Sequence, residues 1–140
     1  MKNISIPIEE QVCNPDQAEK FNQLGLKLQS ALKWYLMTDH FGRHQWEIHQ
    51  YRPFGQKIKM REAYSLVELQ SMRRYMQKQA NGDKTGAINA GIWEQKQYFT
   101  CIGNYKSRHP NATNAELEAQ VIIEAIELDI FKGDEIYYEP

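Results

Sequence analysis

A helix predicted near the C-terminus, over residues 114–131, constrains the fold more than any other feature of the sequence. Thr113 and Glu116 form a capping box at its start, and Lys132-Gly133 is a typical C-terminal signal. One stripe of the helix is polar and consists of Glu116, Gln120, Glu124 and Glu127. Most of the other positions are apolar, so the helix has to lie in the middle of the core or in an interface.

The burial that this helix requires favours self-association. A chain of 140 residues forms a small domain, which can rarely enclose such a helix on all sides. We therefore expect a homodimer whose interface contains Ile123, Ile126 and Ile130.

Three further helices are indicated. Asn14 can cap a helix in which Pro15 takes the first position, and this helix is predicted over 15–38 from the spacing of Phe21, Leu24, Leu28, Leu32 and Tyr35. A capping box over 65–68 opens a second helix that ends near 81–82. A third is predicted over 87–102.

Two segments between these helices alternate in polarity and predict strands. The runs at 45–51 and 56–61 flank Arg52-Pro53-Phe54-Gly55, which suits a type I turn, so they are expected to form a β-hairpin. A competing interpretation extends the first helix to Tyr51, although Gly42 weakens it.

Together these elements predict an α+β fold that is mainly α-helical. It has about four helices and a small β-hairpin, with 4–6 and 136–138 as candidate edge strands, in a single domain over 1–140.

Charge is distributed unevenly along the chain, although the formal net charge is only −1. Residues 43–109 hold twelve Lys and Arg against five acids, a net charge of +7. Residues 110–140 hold one Lys against eight acids, a net charge of −7. Such a layout bears on partners and on association rather than on the fold.

The basic hairpin is the first candidate for function. If its apolar residues face the core, its cations share the outer face with an aromatic ring, which suits a nucleic-acid backbone and its bases. Two cations of the following helix would widen the patch. The predicted nucleic-acid-binding residues are His49, Tyr51, Lys57, Lys59, Arg61, Arg74 and Lys78.

A protein-interaction module is the alternative function. A charge-segregated surface and an apolar last helix suit an adaptor or a small inhibitor that docks on a nucleic-acid-handling protein. Small phage-encoded inhibitors that fill nucleic-acid channels offer an analogy, and no more than that.

Catalytic and metal-binding patterns give little support to other functions. His40, His44 and His49 cluster in sequence without supporting ligands, and the loop from Asn81 lacks the Glu that a calcium site needs at its twelfth position. With no phosphate-binding, nucleophile or metalloprotease motif, we expect a non-catalytic protein without a cofactor. Without a signal peptide or a membrane-spanning run, and with only Cys13 and Cys101, we expect a cytoplasmic protein with reduced thiols and no membrane partner.

Overall fold

Four α-helices and one three-stranded antiparallel sheet account for most of the residues that the computed structural model describes, which are 7–82 and 98–140. In chain order the elements are α1 (Pro15–Gln23), β1 (Leu32–Thr38), β2 (His44–His49), β3 (Lys57–Ala63), α2 (Leu66–Gly82), α3 (Tyr98–Arg108) and α4 (Asn114–Glu127). Single 3-10 turns occur at Ile8–Glu10 and Gly133–Glu135. The class is α+β. None of the helices in the described ranges is both long and apolar enough to cross a membrane.

The strands lie in the order β2-β1-β3, with β1 antiparallel to both neighbours. A tight turn joins β1 to β2, and the Asp39 amide donates to the Arg43 carbonyl across it at 2.9 Å. Because β1 separates β2 from β3, the connection over residues 50–56 has to pass across β1. The connection crosses the face of the sheet on which the Met37 side chain lies. A Cβ atom added at Gly55 would be 3.4 Å from Met37 Cε.

The prediction of a mainly α-helical fold with one small hairpin is therefore wrong. Strands do form close to the predicted 45–51 and 56–61, but they do not pair with each other. The strand between them, β1, comes from residues that were predicted to be helical. Of the two candidate edge strands, 136–138 joins no sheet, and 4–6 lies outside the described residues.

The first helix ends at Gln23 because Gly25 reverses the chain. Gly25 has φ +83°, and the amides of Gly25 and Leu26 donate to the carbonyls of Asn22 and Phe21. This pair of hydrogen bonds is a Schellman motif, with the glycine in its left-handed position. At the start of the helix, the predicted cap is confirmed, because the Asn14 side chain accepts from the Gln17 amide.

The last helix is enclosed by its own chain. Ile123 is 2% exposed and Ile126 is 7% exposed, and both lie in the core cluster, while Ile130 is partly buried against it. Ile123 and Ile126 are therefore not available to the predicted interface, because helices α1, α2 and α3 all pack on α4, whereas an interface at Ile130, which follows the helix, stays a prediction. The capping box at Thr113 is confirmed, but α4 ends at Glu127, before Asp129 at φ +58°.

Of the helix predicted over 87–102, the first part lies outside the described residues. The observed helix α3 covers Tyr98–Arg108 and packs on α4.

Two glycines allow a matched test of this geometry. Neither Gly25 nor Gly103 has an atom within 4 Å of an added Cβ, but only Gly25 has a positive φ. We expect Gly25→Ala to lower the free energy of unfolding by about 1 kcal/mol, from strain alone. Gly103→Ala, inside α3, should raise it by about 0.5–1 kcal/mol. Urea unfolding measures both, and a shift of the same sign in the two variants would contradict the described turn.

Candidate interaction surface

The two faces of the sheet follow from its register. Directly opposite residues on adjacent strands lie on the same face, and Trp34 stands opposite both Ile48 and Arg61. Trp34 belongs to the core, so this face packs against the helices; we call it the packed face. The neighbouring row, in which Tyr35 stands opposite Met60, belongs to the other side, which we call the open face.

The register shows that the face of β3 that was predicted to be the outer one packs against the helices. Lys59 and Arg61 lie on the packed face and bind one carboxylate of α1: Glu19 Oε2 is 3.3 Å from Lys59 Nζ and 2.7 Å from Arg61 Nε. The Arg61 hydrogen bond, with help from Lys59, holds the pKa of Glu19 below its ordinary value of 4.5. These two cations are therefore largely neutralised within the chain.

The two helix cations of the predicted patch are also paired. Arg74 and Lys78 of α2 both bind the carboxylate of Glu139, and their hydrogen bonds lower the pKa of that group. Four of the seven predicted nucleic-acid-binding residues therefore belong to two separate ion-pair groups within the chain, one at Glu19 and one at Glu139.

The remaining predicted residues lie at the open side of the sheet. Lys57 donates from Nζ to the carbonyls of Pro53, at 2.8 Å, and Gly55, at 3.1 Å. The imidazole of His49 lies 3.0 Å from a carboxylate oxygen of Glu47. Tyr51 extends into solvent from the connection after β2 and is 78% exposed.

The open face and its loops are rich in exposed apolar side chains. Five of the nine large apolar side chains that the described residues expose belong to this region: Phe41, Tyr51, Phe54, Ile58 and Met60. Phe54 is fully exposed and Phe41 is 81% exposed. Beneath them, Tyr35 and Met37 are buried although they lie outside the core cluster formed with the helices. Exposed apolar side chains concentrated in one region mark interaction sites more often than single residues scattered over the surface do.

Cations flank this surface. The Arg43 guanidinium lies 5.0 Å from the centre of the Phe41 ring. Arg52 is exposed and forms no ion pair with any described residue, and Lys57 binds only loop carbonyls there. We call Phe41, Tyr51, Phe54, Ile58 and Met60, together with Arg52 and Lys57, the sheet patch.

The sequence contained part of the signal for the sheet patch. The alternation of Ile58 and Met60 with Lys59 and Arg61 does separate two faces, whereas the register shift at Met37 places Lys57 on the open side. The alternation cannot show which face is buried, because the acid that binds the inner cations, Glu19, is forty residues away in sequence.

A second concave region lies between α1, α3 and α4, with a volume of about 490 Å³. Its polar side chains mostly bind one another: Asn14 Nδ2 donates to Glu116 Oε2 at 2.7 Å, and Lys20 Nζ lies 3.4 Å from Glu127. Burial raises the pKa of Tyr105, whose ring lies 4.4 Å from that of His109. Because these groups already bind one another, we interpret the groove as the boundary between packed helices rather than as a ligand-binding site.

Metal binding has no geometric support in the described ranges, where no group of three or more His, Cys, Asp or Glu side chains converges. His40 lies in the turn after β1, and His44 begins β2. Most of the calcium-like loop from Asn81 lies outside the described residues.

The ion pairs at Glu19 should make stability depend on pH. A carboxyl group whose pKa is lowered in the folded state stabilises the fold above its unfolded pKa, near 4.5, and this contribution is lost as the pH falls through the folded value. We expect Glu19→Gln to destabilise the protein at pH 7 by up to about 1 kcal/mol, since the pair is partly exposed. The difference from wild type should decrease in thermal unfolding as the pH falls below 4.5. Glu9→Gln, at an exposed acid, should show no such dependence, and a Glu19→Gln effect that does not decrease below pH 4.5 would contradict the assignment.

Comparison of the chain with protein-family models, with curated proteins and with solved structures finds no match. The function therefore has to be argued from the geometry of the described residues alone, and the sheet patch is the surface that this geometry singles out.

Proposed function

We propose that this chain is a protein-interaction module that binds a partner protein through the sheet patch. The observation that carries the proposal is the exposure of five large apolar side chains on the open face and its loops: Phe41, Tyr51, Phe54, Ile58 and Met60. Aromatic residues and Met are enriched at the centres of protein interfaces, where they contribute much of the binding energy.

The charges around the patch indicate the chemistry of the partner. Arg52 and Lys57 lie at the rim, while the acids of the open face are engaged: Glu47 contacts His49, and Glu62 binds Lys33. A complementary surface would present apolar side chains flanked by carboxylates. The module itself needs no catalytic group or cofactor, and its cytoplasmic location remains a prediction.

Site-specific photo-crosslinking tests this proposal. With benzoylphenylalanine in place of Phe41 or Phe54, we expect both positions to crosslink to the same protein in an extract of the source cells. Tyr137, which is 54% exposed in the C-terminal segment, provides the control position and should give no such product. The double variant Ile58→Ser/Met60→Ser should keep the melting temperature and lose the crosslink. No product at Phe41 and Phe54, or an equal product at Tyr137, would refute the proposal.

Single-stranded nucleic acid is the second candidate, and a specific observation favours it. The exposed rings of Tyr51 and Phe54 flank Arg52 and precede Lys57, so rings for stacking and cations for phosphate alternate along one loop. Base stacking on such rings is worth about 1–3 kcal/mol per base. This loop replaces Lys59, Arg61, Arg74 and Lys78 as the proposed contact region.

Oligonucleotide binding at several salt concentrations separates the two functions. If the loop binds nucleic acid, Phe54→Ala should weaken binding of a single-stranded oligomer by about tenfold or more. Arg52→Ala should reduce the slope of log affinity against log salt by about one unit. Arg74→Ala is the matched control and should change neither. No binding by the wild-type protein at low salt would eliminate this candidate and leave the protein partner.

A further inference from the structure

The two edges of the sheet are built differently. The β3 edge carries Lys57, Lys59 and Arg61 and an irregularity opposite the Leu36–Met37 step, and α1 packs beside it. Cations and bulges of this kind are common ways in which proteins prevent edge strands from pairing with other chains. The β2 edge has no Lys, Arg or Pro between His44 and His49, and its six pairs with β1 run without a break.

The turn identifies the backbone groups of β2 that have no strand partner among the described residues. The Asp39 amide donates to the Arg43 carbonyl, so these two residues form a hydrogen-bonded pair. Hydrogen-bonded and non-hydrogen-bonded pairs alternate along the antiparallel ladder from there. Gln45, Glu47 and His49 then exchange hydrogen bonds with β1. The amide and carbonyl groups of the alternate residues, His44, Trp46 and Ile48, point away from the described sheet.

We propose that β2 pairs with β2 of a second copy of the chain, antiparallel and centred on Ile48, to form a continuous six-stranded sheet in a two-fold dimer. This interface uses the strand edge rather than the open face, and of the sheet patch only Tyr51 lies beside it, opposite Gln45 of the partner subunit. Phe41, Phe54, Ile58 and Met60 stay available to a partner protein, so failure of the dimer would not count against the proposed function. Ile48 would exchange two main-chain hydrogen bonds with Ile48 of the partner subunit.

The side chains of β2 select this register. Centring on Ile48 places Glu47 opposite His49 of the partner subunit on the open face, twice by symmetry, and joins the two Ile48 side chains on the packed face. Directly opposed side chains of this kind interact favourably. Centring on Glu47 would oppose two carboxylates, and centring on Trp46 would place Ile48 opposite the polar His44. Within each strand the Glu47 carboxylate already lies 3.0 Å from the His49 imidazole, so the proposed register brings two such pairs together beside the joined Ile48 side chains. The order of side chains along β2 therefore complements itself in one register.

Disulfide trapping tests the register. In the proposed dimer the two Cα atoms at position 48 are about 5.5 Å apart, within disulfide range. The two Cα atoms at position 45 would be displaced from each other by six residues along the strands, which is about 20 Å. Ile48→Cys should crosslink under mild oxidation, and Gln45→Cys should not. Burial raises the pKa of Cys13 to about 12 and that of Cys101 well above its ordinary 9.0, so the native thiols stay protonated and unreactive.

Sedimentation of the reduced protein completes the test. Wild-type protein should sediment as a dimer at high concentration. Ile48→Lys, which opposes two ammonium groups at the two-fold axis, should reduce the mass to that of one 16.5 kDa chain. Because Ile48 packs partly against the core, the variant's circular dichroism spectrum has to match that of the wild type, which shows that the monomer is folded. A wild-type monomer at every concentration would overturn the proposal. Equal crosslinking at positions 45 and 48, or a dimer that survives Ile48→Lys without crosslinking at 48, would also overturn it.

Discussion

The indole of Trp34 connects the sheet to the rest of the molecule, and the arrangement of the strands depends on it. Trp34 lies in the central strand, is 5% exposed, and donates from Nε1 to the Cys13 carbonyl at 2.8 Å. The Cys13 amide in turn donates to the carbonyl of Tyr64, just after β3. A large ring with one polar atom is favourable in a core only where that atom has a partner. This hydrogen bond therefore holds β1 against the N-terminal segment. Strands β2 and β3, which pair with β1 on either side, are positioned with it.

The central position of β1 explains why charge and apolar surface are distributed as they are. Once Trp34 faces the helices, the register carries Arg61 and Lys59 inward, where Glu19 neutralises them. The same register carries Ile58 and Met60 outward. A stretch that is strongly basic in sequence thus forms an apolar surface with a few cations at its rim. This is why we propose a protein partner rather than the nucleic-acid patch predicted from the sequence.

Local features of the fold could be predicted from the sequence, and long-range ones could not. The caps at Asn14, Ser65 and Thr113 are confirmed, because each depends on side chains within three residues. The strand after α1 was missed because Leu28, Leu32 and Tyr35 also fit a helical spacing, although Gly25 was a signal for the break. For the sheet patch, alternation separated the two faces of β3 but gave no information about which strand would pair with it. The burial of Ile123 and Ile126 within the chain could not be predicted, because it depends on the packing of three helices on α4.

Backbone contacts measured by NMR in solution test the central position of β1 most directly. Opposed residues outside the hydrogen-bonded pairs of an antiparallel sheet bring their Cα atoms to about 4.5 Å, which gives strong contacts between their Hα protons. The described pairing predicts such contacts between Leu36 and Trp46 and between Tyr35 and Met60. Contacts that join β2 directly to β3, such as Ile48 to Lys59, would contradict it.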